Sequence, residues 1–374
     1  MKRLIAIAAS LLAVVGTVAA AEASQPQGVV HHAVPLSNYV PPARHVFVIN
    51  IENKGYDETW GRLSKAPYLA HTLRKKGVLL YNYYGTAHNS QPSYIAQISG
   101  QAPNPQMQGD CQIYSSFQGS GTVAPQQAVG QGCVFPKSVN SLPIQLGRGG
   151  YSWRGYMQDM KTPCLHPALN SQDGTQKAVK GNQYAVRHDP FMYFTSITGR
   201  PNYCKQHVVN LSSLRHDLRS RATTRSLSYI TPNLCADGHD SPCVDGRPGG
   251  LVSVNTFMRT WVPRILNSPA YKANGVLIIT ADESDGPQSD SSSCCNEQPG
   301  PNSPMPGIVG MGGGRVGALI ISRWTKPDTF STTPYNHYSL LASLEEIFGV
   351  PLLGYARTAG LDRFGLDVYN NGWK

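Results

Sequence analysis

Apolar and polar positions along the chain repeat one unit: a short hydrophobic run, a polar end, then residues at helical spacing. The first run is HVFVINI, closed by Glu52 and Asn53. Val46, Phe47, Val48, Ile49 and Ile51 predict a buried strand of about six residues. Leu63, Ala66, Leu69, Ala70 and Leu73 then recur at helical spacing up to Gly77. Val78 to Tyr84 predicts a second strand, followed by a polar turn at His88, Asn89 and Ser90 and a short helix to Gly100. Further helices are expected at Ser141–Leu146, Leu211–Ala222, Val252–Ile265 and His337–Phe348. Further strands are expected at Tyr151–Met157, Ser226–Ile230, Gly275–Thr280 and Val316–Ser322. The run GVLIIT at Gly275–Thr280 is the clearest buried strand. Strands alternating with helices predict a parallel-type α/β sheet covered on both faces. Residues 101–140, 160–205 and 284–311 break the pattern and read as surface excursions of one domain, 45–374.

The N-terminus follows another rule. Lys2-Arg3, an apolar stretch from Leu4 to Val18 and small residues around Ala19–Ala23 predict a signal peptide over 1–23, with an exposed lead-in at 24–44. The expected location is secreted or periplasmic. The 8 cysteines all follow that segment and form no CxxC pair, which argues for disulfides over structural zinc. Short-range pairing predicts Cys111–Cys133 and Cys235–Cys243. The adjacent Cys294 and Cys295 either bridge to different partners or pair with each other. The formal net charge of +10 is spread along the chain without a dense basic block. That suits anionic small molecules and gives no nucleic-acid footprint. No run after the leader is long and apolar enough to insert in a bilayer.

Polar groups recur at the expected strand ends. They are Glu52-Asn53, the turn with Ser90, the Asp237-Gly238-His239-Asp240 turn, Asp282-Glu283, and His337 after the last strand. In open α/β sheets ligands bind beyond the carboxyl ends of the strands, so this recurrence predicts one common site. Glu52, Asn53, Asp282 and Glu283 supply oxygen donors for a divalent ion: Ca²⁺, Mg²⁺ or Mn²⁺, or Zn²⁺ with a histidine added. Ser90 is the candidate nucleophile, with Ser93 expected to cap the following helix. His88 either contacts phosphate or caps the strand. His239 and His337 are the candidate proton donors. Asp57, His188 and Arg323 are weaker candidates, each equally readable as an ordinary loop residue.

The segments VFVINIENKGYDETWG, HNSQPSYIAQISG, PNLCADGHD, LIITADESDG and YNHYSLLASLEEIFGVPLLGYA resemble, in this order, the phosphoesterase family of bacterial phospholipases C and acid phosphatases. That family lies within the alkaline-phosphatase-like superfamily. The resemblance implies a three-layer α/β/α sandwich, here with long disulfide-stapled insertions, and metal-assisted hydrolysis of a phosphate ester. It implies Glu52, Asn53, Asp282 and Glu283 around the metal. Ser90-Gln91-Pro92-Ser93-Tyr94 is similar to the Thr-x-Pro-Asn-His of related phosphodiesterases, with Ser93 where Asn is usual. Ser93, His88 and Asn53 would then contact substrate, and Ser90 would form a phosphoserine. Lys54-Gly55-Tyr56 replaces the Arg-Ser-Phe of the phospholipase branch, which favours an acid phosphatase acting on soluble phosphomonoesters. A phospholipase C and a non-catalytic binding protein are the alternatives.

Overall fold

The computed structural model describes residues 39–371. The expected signal peptide and the lead-in as far as residue 38 lie outside them. Eight strands form the main sheet: β1 His45–Ile51, β2 Val78–Leu80, β3 Trp153–Met157, β4 Val208–Asn210, β5 Leu227–Thr231, β6 Gly275–Ala281, β7 Ala318–Ser322 and β8 Thr329–Ser331. Their order is β8-β2-β7-β6-β1-β5-β3-β4. The central strands β1, β5 and β6 are buried along their whole length, as their near-continuous apolar sequences require.

One strand departs from the parallel expectation. β7 runs antiparallel to both β6 and β2. Ala318 pairs with Thr280, so the long loop after β6 returns at the same sheet edge that it left. No crossover helix carries the chain back, and without one the next strand must run the other way.

Period-two alternation in β1 sorts the layers. On one face Asn50 accepts a hydrogen bond from Gln97 Nε2 at 2.9 Å, and Tyr229 OH donates to Gln97 Oε1 at 2.8 Å. Gln97 lies on α1, Ser90–Ser99, which packs on α3, His337–Phe348. On the other face Phe47 meets Tyr271 with ring centroids 6.4 Å apart. There the segment Pro269–Asn274 packs beside α2, Gly250–Leu266. This is a three-layer α/β/α arrangement.

Several local expectations change. The helix expected from Leu63 is a wide π-type turn, Tyr68–Leu73, and a tight turn, Arg74–Lys76. Pro67 starts that turn and leaves Leu63 81% exposed. Only Leu211–Asp217 of the expected Leu211–Ala222 helix is turned, in short pieces. Val78–Tyr84 splits, because Tyr83–Tyr84 pairs with Tyr335–Asn336 in a separate small sheet. The edge strands β4 and β8 are three residues each, too short for a periodicity to register. The excursion 101–140 folds back as a hairpin, Gln118–Val123 with Gln127–Gln131. Disulfides join Cys111–Cys133, Cys164–Cys204, Cys235–Cys243 and the adjacent Cys294–Cys295. The two short-range pairs are those expected. Among the described residues no helix is long and apolar enough to cross a membrane.

Candidate active site

The site follows from strand register. Ile51 pairs with Ala281, so the next residues, Glu52 and Asp282, emerge side by side. Glu52 keeps the parity of Val48 and Asn50 and therefore faces α1. Ser90 is the first residue of α1 and Tyr94 lies one turn on. Ser90 Oγ donates to Glu52 Oε1 and also lies 3.0 Å from Glu283 Oε1. Tyr94 OH donates to the other Glu52 oxygen at 2.8 Å. Behind Glu52, His188 bridges two carboxylates: Nε2 is 3.1 Å from Glu52 Oε1 and Nδ1 is 3.1 Å from Asp237 Oδ2. The His188 ring stacks on Tyr94 with centroids 5.4 Å apart. All of these groups are buried.

Glu52, Asp282 and Glu283 each offer an oxygen within 4.8 Å of the others, and Glu52, His188 and Asp237 form a second such group. Asp282 Oδ1 accepts the Asn53 N–H at 3.1 Å, but its Oδ2 is buried without a hydrogen-bond partner. An orphaned carboxylate oxygen beside two further carboxylates is costly unless a proton or a cation joins them. The donor set therefore fits a divalent ion. Burial and the Glu52 charge push the Asp282 carboxyl well above its usual range. Burial also penalises the Glu52 and His188 charges, but their mutual attraction outweighs it, lowering Glu52 and raising His188.

The structure sorts the remaining candidates. His88 is buried with Nδ1 on Glu283 and Nε2 3.0 Å from the Asp290 carbonyl, so it orients a carboxylate and does not face a phosphate. Ser93 neither caps the helix nor reaches the opening. It lies inside α1, where Oγ donates to the Ala87 carbonyl at 3.1 Å, and Asn89 holds the cap position. Asn53 is half-buried at the opening in a left-handed conformation, φ 51°. His337 is fully buried: Nδ1 is 2.9 Å from Tyr83 OH and Nε2 is 2.6 Å from the Asp282 carbonyl. The carbonyl can only accept, so Nε2 carries the proton. Burial lowers the ring pKa to about 4 against that bond. A neutral ring with both nitrogens engaged is no free proton donor, which overturns its reading as an acid. His239 is half-buried at the opening. Arg187 can only donate, so His239 Nε2 accepts from it at 3.0 Å and Nδ1–H donates to Asp240 at 2.8 Å. Asp57 is exposed on Arg315, and Arg323 lies at the far end of β7, remote from Glu52.

Arg187, Tyr94 and the roles of His188 and Asp237 escape pattern reading. The run Arg187-His188-Asp189-Pro190 is a charged island in an otherwise irregular stretch, and that was its one visible signal.

The Phosphoesterase family model matches residues 64–351. The chain belongs to the Phosphoesterase family. It is 24% identical over 321 residues to an acid phosphatase of Aspergillus fumigatus, covering 86% of this chain and 58% of that one. It is 26% identical over 285 residues to a phosphate-repressible acid phosphatase of Penicillium chrysogenum, covering 75% and 54%. The chain thus spans somewhat over half the length of these fungal relatives. It is 23% identical to a phosphatidylinositol-3-phosphatase of Mycobacterium tuberculosis over 351 residues, 93% of this chain and 91% of that one. A solved protein of the alkaline phosphatase superfamily from Vibrio parahaemolyticus superposes with a TM-score of 0.49 at 11% identity, covering 83% of this chain and 68% of that one.

Proposed function

We propose that this chain is an exported, cation-dependent phosphoester hydrolase of the acid-phosphatase type that acts on soluble phosphomonoesters through Ser90. The observation that carries this reading is the buried Ser90 hydroxyl held between Glu52 and Glu283 at the start of a helix. A hydroxyl in that position has bases to take its proton. Several carboxylates around a nucleophile would repel a phosphate dianion, so the same arrangement calls for a cation. Glu52, Asp282 and Glu283 would hold it, with Asn53 at the opening. When bound, the ion neutralises phosphate charge and lowers the pKa of the serine hydroxyl.

Ser90 Oγ bonds to phosphorus as the bond to the leaving alcohol breaks, and the serine proton passes to a carboxylate. The alcohol departs with a proton from the Arg187–His239 side of the opening. Arg187 is drawn to the phosphate, which frees His239 Nε2 to carry that proton. Water then releases phosphate from Ser90. His88 and His188 hold Glu283 and Glu52, and His337 fixes the Asp282 backbone. Export is supported by the absence of free cysteines among the described residues.

A second reading is hydrolysis of a phosphomonoester on a lipid head group. The relative matched over nearly its full length is a phosphatidylinositol-3-phosphatase. Met305 and Val309, 45% and 48% exposed, sit on the loop that accepts hydrogen bonds from Gln108 and His88. The test compares kcat/KM for a chromogenic monoester with that for phosphatidylinositol 3-phosphate in vesicles, before and after chelation and readdition of divalent ions. The soluble ester should win and chelation should abolish turnover reversibly. Preference for the vesicle moves the chain to the second reading, and full activity after exhaustive metal removal refutes the cation.

A further inference from the structure

A cavity of about 620 Å³ lies at the sheet edge opposite Ser90. Gly149, which closes the short helix Leu142–Arg148 ahead of β3, and Gly349, which closes α3, both line it. α3 begins at His337 beside Asp282 and is 12 residues long, so the cavity is roughly 18 Å from the carboxylates. Arg148 also lines an adjoining hollow of about 370 Å³, with Lys137, Arg200 and Tyr203. Arg357 lines the larger cavity.

The lining makes two demands at once. Lys137, Arg148, Arg200 and Arg357 are exposed cations, none paired with a carboxylate among the described residues, and no Asp or Glu lines either hollow. They call for an anion. Gln145 is 5% exposed, and its Oε1 is buried without a partner while Nε2 donates to the Pro351 carbonyl at 2.6 Å. That oxygen calls for a donor. Inorganic phosphate or a bare carboxylate meets only the first demand. Val350 and Leu352 add an apolar wall.

We infer that this cavity binds an oligosaccharide carrying acidic groups. A hydroxyl satisfies Gln145, acid groups pair with the arginines, and ring carbons pack on the apolar wall. Being separate from Ser90, it would hold the protein on an acidic glycan while the catalytic edge stays open.

Calorimetry on the full chain tests this with trigalacturonate, a sulfated trisaccharide, neutral maltotriose and inorganic phosphate. One or both acidic trisaccharides should bind, showing whether carboxylate or sulfate is preferred. Arg148→Ala/Arg357→Ala should weaken that binding at least tenfold. The double variant should keep wild-type kcat/KM on a soluble phosphomonoester. Maltotriose or phosphate binding as tightly as the acidic sugars, no acidic sugar binding, or an unchanged double variant would overturn the inference.

Discussion

Ser90 and Ser93 are one helical turn apart, yet their surroundings assign them different work. Ser90 Oγ contacts two carboxylates, whereas Ser93 Oγ reaches only a backbone carbonyl. Ser90→Ala should fold and lose about a thousandfold or more in kcat. Ser93→Ala should cost about 1 kcal/mol of stability and little activity. Steady-state kinetics beside a thermal melt separates the two, and a dead Ser93→Ala with an active Ser90→Ala would name the wrong serine. The histidines divide in the same way. The His337 pKa of about 4 keeps the ring neutral between pH 5 and 8, so it contributes no limb to the pH profile there. His337→Gln should lower kcat at every pH and leave the limbs in place. His239→Ala should slow an ester with a poorly departing alkyl alcohol far more than an aryl ester that leaves without a proton. The same leaving-group dependence in His337→Gln, and not in His239→Ala, would restore His337 as the acid.

At the scale of elements, α1 is held to the sheet by a polar bolt. Gln97 links Asn50 of β1 and Tyr229 of β5, and all three are buried. Gln97→Leu leaves two polar partners unsatisfied, a cost of about 2–4 kcal/mol. It should also lower kcat, because α1 carries Ser90. A variant that loses stability but keeps full kcat would show that Ser90 is placed from its own end of the helix. The far end of α1 is as constrained: Gly100 has φ 66°, and an added Cβ would lie 2.5 Å from the Leu353 carbonyl. The strands and helices around the site were legible because their runs are long and strongly apolar. β1, β5 and β6 and helices α2 and α3 lie within two residues of expectation, whereas α1 starts at Ser90, in what was expected to be the turn before it. The carboxylates at the ends of β1 and β6 were legible because a polar pair after an apolar run has no packing role. Arg187 and His188 were not, because their relation to Glu52 is made by a long irregular loop whose path no periodicity encodes. His337 misled for a related reason: sequence placed it at the right edge but could not show its ring closed off by Tyr83.

Across the whole molecule, buried carboxyls tie stability to pH. Burial raises Glu345 to about 9 and Asp189 to about 7, and pushes Glu297 well up. Each keeps its proton in the folded state above the pH at which the unfolded chain, near 4, releases it. Their stabilising contribution is therefore complete below about pH 4 and is lost as pH rises through 7 and 9. Glu52, lowered in the fold to about 2, works the other way, and its contribution is lost only as pH falls toward 2. The melting temperature should peak in mildly acidic buffer and fall by several degrees by pH 8. Glu345→Gln should flatten that fall, and a melting temperature that rises from pH 5 to 8 would contradict the assignment. The buried carboxylates at the strand ends, Glu52, Asp282 and Glu283, underlie the catalytic proposal, in which Ser90 passes through a covalent phosphate. The most direct measurement is acid quenching of wild-type protein during turnover of a phosphomonoester, followed by mass spectrometry of the peptide containing Ser90. The account predicts phosphate on Ser90, absent from Ser90→Ala and from chelated protein. Phosphate on another residue, or steady turnover by Ser90→Ala, would contradict it.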